Sequence, residues 1–176
     1  MGNPAPTDRR FDKPTHESLI DLINYSNKSY IGYDEIEADQ ITPVNGGSVS
    51  INTSVRIRLK GAAENAPYAI MRYARLDLSE YIPNPEDFRF DSMVDADSVF
   101  AQLKALHHIQ LSELDCAVVI GEILSDGTRE ITFLPFAGHP VWIGELTVKG
   151  VPTNHLANTM AEGDLDGFTL AQLAYQ

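Results

Sequence analysis

At 176 residues, with 43% hydrophobic and 22% charged residues, the chain has the size and usage of one globular domain and is neither a disordered tail nor a fibrous repeat. Its formal net charge of -12 gives a surface that repels the phosphates of nucleic acids and anionic lipids, which excludes broad binding to either. The single cysteine, Cys116, excludes an internal disulfide framework, and no stretch reaches the ~18 apolar residues of a membrane span.

Residues 1–14 read as a polar arm carrying Pro4, Pro6 and Pro14, with little to bury. No apolar core of signal-peptide length occurs there, so the expected setting is a cytoplasm, or release from one by lysis. Thr15 is placed to N-cap a first helix, with Glu17 in its first turn. Leu19, Leu22 and Ile23 form the helical stripe, widened by Ile20, and the helix should end within Asn24–Ser29.

From Tyr30 to Leu78 the period changes to two. Val55, Ile57 and Leu59 alternate with Arg56, Arg58 and Lys60, as in a half-buried strand with one charged face. Asn45-Gly46-Gly47 is a turn before that strand, and Gly61 closes it. Tyr68 to Leu78 reads as the next strand.

Pro83 and Pro85 break the sheet pattern. A second helix follows, capped by Asp95, with Val99, Leu103 and Leu106 on one face and Phe100 beside them. The remainder reads as a β-meander. Its first strand, Cys116 to Leu124, turns at Ser125-Asp126-Gly127 into a partner holding Ile131 and Phe133. Trp142, Leu146 and Val148 share a face of the third. The fold expected is a single α+β domain over residues 15–176, mainly antiparallel, with two helices and an extended N-terminal arm.

Chemical signatures are sparse. Cys116, within the apolar run Cys116–Ile120, reads as a small core residue. Glu162-Gly163-Asp164-Leu165-Asp166-Gly167 has the carboxylate spacing that opens a calcium loop. Leu173 stands where the bidentate Glu belongs, so a polar turn is the better reading. Among the histidines (His16, His107, His108, His139 and His155), His107 and His108 are neighbours on a helix and point about 100° apart, which hinders chelation of one ion. All five read as surface or half-buried residues. Phosphate loops, dinucleotide glycines and a nucleophile elbow are lacking. No enzyme, catalytic residue, metal or cofactor is therefore expected, with an unrecognised hydrolase as a minor alternative.

One charge pattern stands out. Arg56, Arg58, Lys60, Arg72 and Arg75 fall within 20 residues, whereas segment 30–55 holds Asp34, Glu35, Glu37 and Asp39 and no basic residue. The Arg56, Arg58 and Lys60 stripe either pairs across its own sheet or contacts an acidic neighbouring subunit. With Arg9 and Arg10 of the arm, these are the candidate interface residues.

Leu19-Ile20-Asp21-Leu22-Ile23-Asn24, Asp39-Gln40-Ile41-Thr42, Asn52-Thr53-Ser54-Val55, Tyr73-Ala74-Arg75-Leu76-Asp77-Leu78 and Leu165-Asp166-Gly167-Phe168 occur in that order. Together they resemble the small "LIDLIN"-type domain of structural proteins from tailed, often large, bacteriophages. The resemblance implies a virion component (tail, baseplate, neck or head surface), assembled in the host cytoplasm, with other virion subunits or further copies of itself as partners. It transfers no catalytic residues. The alternative is a small cytoplasmic regulatory module that binds a host protein.

Overall fold

The computed structural model describes residues 11–44, 51–90 and 94–153, and its architecture is the expected single α+β domain, mainly antiparallel. Helix α1 (Thr15–Asn27) is followed by strands β1 (Ile36–Pro43), β2 (Thr53–Leu59), β3 (Ala69–Tyr73) and β4 (Leu76–Asp77). A one-turn helix α2 (Leu78–Tyr81), strand β5 (Phe88–Phe90) and helix α3 (Ala96–His107) come next. Strands β6 (Cys116–Ile120), β7 (Arg129–Pro135), β8 (Trp142–Ile143) and β9 (Leu146–Pro152) complete the described chain.

Two hydrophobic clusters organise these elements. In the smaller, Leu19 and Ile23 of α1 lie on Val55 and Ile57 of the antiparallel β1-β2-β3 sheet. The larger fills the space between α3 and the sheet β5-β9-β7-β6, where Trp142, Phe88, Phe133, Leu103 and Ile109 are fully buried. In that sheet only the β5-β9 pairing is parallel. A short parallel pairing of β4 with β8 spans the two regions.

Several local expectations are corrected. Thr15 does not cap α1. Pro14 holds the N-cap position without a side-chain cap bond, and the Thr15 hydroxyl turns instead toward His139 Nε2 at 3.4 Å. Leu22 is 42% exposed, because packing uses the arc through Leu19, Ile20 and Ile23 and leaves Leu22 beyond its edge. Leu59, at the end of β2, is 66% exposed. The strand expected over residues 68–78 breaks into β3 and β4, because Arg75 between them is drawn inward. The first meander strand stops at Ile120, and Trp142 belongs to β8 rather than to the strand of Leu146 and Val148.

Asp95 does cap α3, accepting from the Ser98 peptide N–H at 2.8 Å while its own N–H donates to Ser98 Oγ at 3.2 Å. Gly61 and Gly127 take positive φ at 73° and 80°, as their turns require.

Phe11 to Pro14, counted above in the polar arm, dock on the chain's own body. The Phe11 ring meets Trp142 at 4.8 Å and Tyr81 at 5.4 Å in edge geometry, and its carbonyl accepts from Gln110 N–H at 2.8 Å. Lys13 pairs with Asp21, and Asp12 with Lys104. One aromatic ring anchors the end of a segment whose overall composition is polar.

Candidate functional site

The most heavily bonded polar cluster lies where the two halves of the fold meet. At its centre is Arg75, only 9% exposed. Asn52 treats it as a strand neighbour would: Asn52 Oδ1 accepts from the Arg75 peptide N–H at 2.8 Å, and Asn52 Nδ2 donates to the Arg75 carbonyl at 3.1 Å. The guanidinium donates from Nε to Thr53 Oγ1 at 2.8 Å, and from Nη1 to the carbonyls of Ala137 (2.7 Å) and His139 (3.2 Å). Thr53 Oγ1 in turn donates to Asn52 Oδ1 at 2.7 Å.

The loop that receives Arg75 is also held from other directions. Tyr73 donates its hydroxyl to the Pro140 carbonyl at 2.6 Å, and Leu76 N–H reaches the Val141 carbonyl at 2.9 Å. His139 closes the loop on itself. Its Nδ1 accepts from the peptide N–H groups of Val141 (3.1 Å) and Trp142 (2.9 Å). Two incoming donors require an unprotonated Nδ1, so the ring is neutral with its proton on Nε2, facing Thr15 Oγ1.

Burial drives the electrostatics here. It pushes His139 down to about 4, against a raising influence of Asp115 and with a further lowering one from Arg75. It pushes the Tyr73 phenol up to about 12 and moves Arg75 downward. Among the described residues Arg75 forms no ion pair, and carbonyl and hydroxyl dipoles take up its Nε and Nη1 donors. His139 is 3% exposed, which corrects the expectation that the histidines lie at or near the surface. His107 is half-buried and stacks on Phe88. Cys116 is buried as expected, its thiol pushed up to about 11 by that burial.

The basic stripe is placed within its own sheet. In the β1-β2 register Asp39 faces Arg56 and Glu37 faces Arg58. Arg56 binds Asp39 through two bonds, Nε to Oδ1 at 2.7 Å and Nη2 to Oδ2 at 2.6 Å, and its guanidinium lies 5.5 Å from the Tyr68 ring centre. Arg58 Nε lies 2.7 Å from Glu37, and Lys60 reaches Asp34 at 3.1 Å. Of the two readings open at the sequence level, the geometry supplies cross-strand pairing. Arg9, Arg10, His155, the Asn45-Gly46-Gly47 turn, and the Glu162–Gly167 and Leu165–Phe168 segments lie outside the described residues.

A groove of about 440 Å³ runs between α1 and the β1-β2 pair. Its walls are chiefly apolar (Leu19, Ile20, Ile36, Ile41 and Ile57), with His16, Glu37 and Lys60 contributed by three different segments. Among the described residues no three His, Cys, Asp or Glu side chains converge as metal ligands. No helix among them is long and apolar enough to cross a membrane.

The hub was hidden in the sequence. Arg75 stood there as a basic residue and as one position of a resembling segment, with no structural role, because its partners at positions 137 and 139 are backbone carbonyls more than 60 residues away. The signals that could have pointed to it are the Asn52-Thr53 pair at a strand start and an arginine inside an apolar strand pattern.

Fold and site together define a small α+β domain whose two halves are riveted by a buried arginine–histidine joint. The chain belongs to DUF7941, a family of unknown function, whose match covers residues 9–172. No curated protein and no solved structure matches it.

Proposed function

We propose that the chain is a structural subunit of a tailed-phage virion, acting by packing in multiple copies against other subunits rather than by catalysis. The observation that supports this reading is where the polar residues of the phage-like segments go: into the scaffold. Asn24 clamps the turn after α1, accepting from Ile31 N–H at 2.8 Å and donating to its carbonyl at 2.9 Å. Asp21 accepts from Tyr33 at 2.9 Å, Asp39 holds Arg56, and Asn52, Thr53, Tyr73 and Arg75 build the joint. Asp77 caps α2 through Ser79 N–H at 3.0 Å.

Residue types that elsewhere signal chemistry here set distances between elements. What the scaffold presents outward suits protein contact: Tyr25 and Tyr30 are 87% and 100% exposed just beyond the α1 packing face. The alternative, a cytoplasmic module binding a host protein, uses the same surface and differs in where the protein ends up. Deleting the gene from the phage genome tests the choice. Incomplete particles in the lysate are expected, and a normal yield of infectious particles would remove the structural reading.

A further inference from the structure

Among the described residues the two larger sheets end in four strand edges, and three of them carry devices that hinder pairing with another chain. On β1 the register slips between Asp39 and Thr42, Gln40 takes a φ of 47°, and Pro43 ends the strand. On β3, Pro67 precedes the strand and the exposed Arg72 lies within it. The free side of β5 is already occupied: Gln102 of α3 accepts from Arg89 N–H at 2.8 Å and donates to the Arg89 carbonyl.

The fourth edge, β6, has no such device among the described residues. Cys116-Ala117-Val118-Val119-Ile120 contains no charge, proline or bulge, and pairs with β7 in unbroken register. Gly121 N–H donates to Glu130 and Phe136 N–H to Asp115, so residues 115, 117, 119 and 121 turn their peptide groups toward β7. By the same alternation Val118 and Ile120 turn theirs to the open side. Val119, Leu114 and Ile123 are 53%, 90% and 63% exposed around this edge.

We propose that β6 pairs antiparallel with β6 of a second copy of this chain across a two-fold axis centred on Val118. The two four-stranded sheets then become one of eight strands. The occupant follows from charge. A chain of net charge -12 repels its own copies over most of its surface, but the β6 run is neutral. In this register Glu113, Asp115 and Glu122 fall across from Ile123, Gly121 and Leu114, so no acid meets an acid. Hydrogen bonding closes as well. The two Val118 residues exchange both bonds, and each Ile120 N–H meets the Cys116 carbonyl of the other copy. The Cys116 N–H needs no partner there, since it already donates to Ser112 at 3.0 Å. The inference stands on edge geometry and charge, independently of the virion reading.

Light scattering on the purified full chain across a dilution series tests it. The expected mass is that of two chains, falling toward one on dilution. Ala117→Lys with Val119→Lys sets lysines opposite one another across the axis on the outward face. This variant should be a folded monomer with an unchanged circular dichroism spectrum. Register is read by mixing Ala117→Cys protein with Val119→Cys protein under mild oxidation, where the mixed disulfide should exceed either homodimer. A wild-type monomer at every concentration would overturn the proposal, as would a dimer that persists in the lysine variant or preferential homodimer disulfides. So would a monomer whose Val118 and Ile120 amides resist hydrogen exchange, since another part of the same chain would then cover the edge.

Discussion

Arg75 and His139 show how a few residues fix the relation of two half-domains. Truncating Arg75 leaves the Ala137 and His139 carbonyls and the Thr53 hydroxyl short of a donor in a buried place. Arg75→Met should therefore cost about 2–4 kcal/mol in urea unfolding, whereas Arg72→Met, on an exposed side chain, should cost little. His139 adds a pH dependence of definite sign. Its ordinary value of 6.5 falls to about 4 in the folded chain, so its contribution is complete above pH 6.5 and is lost as pH falls toward 4. The full loss is roughly 3 kcal/mol. Asp39, Asp95 and Asp126 are lowered from 3.8 and lose their contribution only in more acid solution. Urea midpoints between pH 6.5 and 4 should thus decline in the wild type and decline less in His139→Gln. Gly144 is a third sensitive position: its φ is 75°, and a Cβ there would run into the Asp77 carboxylate. Gly144→Ala should lower stability by more than ~1 kcal/mol in the same assay.

Among the elements, those with a strong local signal were the most legible. Val55 and Ile57 point inward and Arg56 and Arg58 outward because strand period and burial agree over β2. Helix α3 was announced by its cap and its Val99, Leu103 and Leu106 stripe with Phe100 beside it, of which Val99, Phe100 and Leu103 are buried and Leu106 partly so. Strands β4 and β8 have two residues each, too short for a period to register, and their pairing joins positions 76 and 142. Which face of α1 packs is set by Val55 and Ile57 of a later strand, and whether Thr15 caps or contacts His139 depends on a loop more than 120 residues away. The stripe's pairing is open to a charge-swap experiment. Arg56→Glu should lower the melting temperature by setting like charges opposite one another, and adding Asp39→Arg should recover most of the loss. Without recovery, the Arg56–Asp39 contact is not what orders these strands.

At the scale of the whole molecule, a strongly acidic chain buries an arginine, Arg75, to join its halves and, among the described residues, leaves one neutral strand edge unprotected. Charge repulsion over most of the surface with one neutral edge suits the proposed assembly through selected contacts. The N-terminal boundary bears on the same point. Removing residues 1–10 should leave the melting temperature nearly unchanged. Extending the deletion through Phe11 should lower it by several degrees, since the ring leaves Trp142 and Tyr81. The proposed role itself is decided most directly by quantitative mass spectrometry of phage particles purified from cells that produce the chain. The account predicts the protein in every preparation at a fixed stoichiometry of several copies per particle. Its absence from particles that are otherwise complete would contradict it.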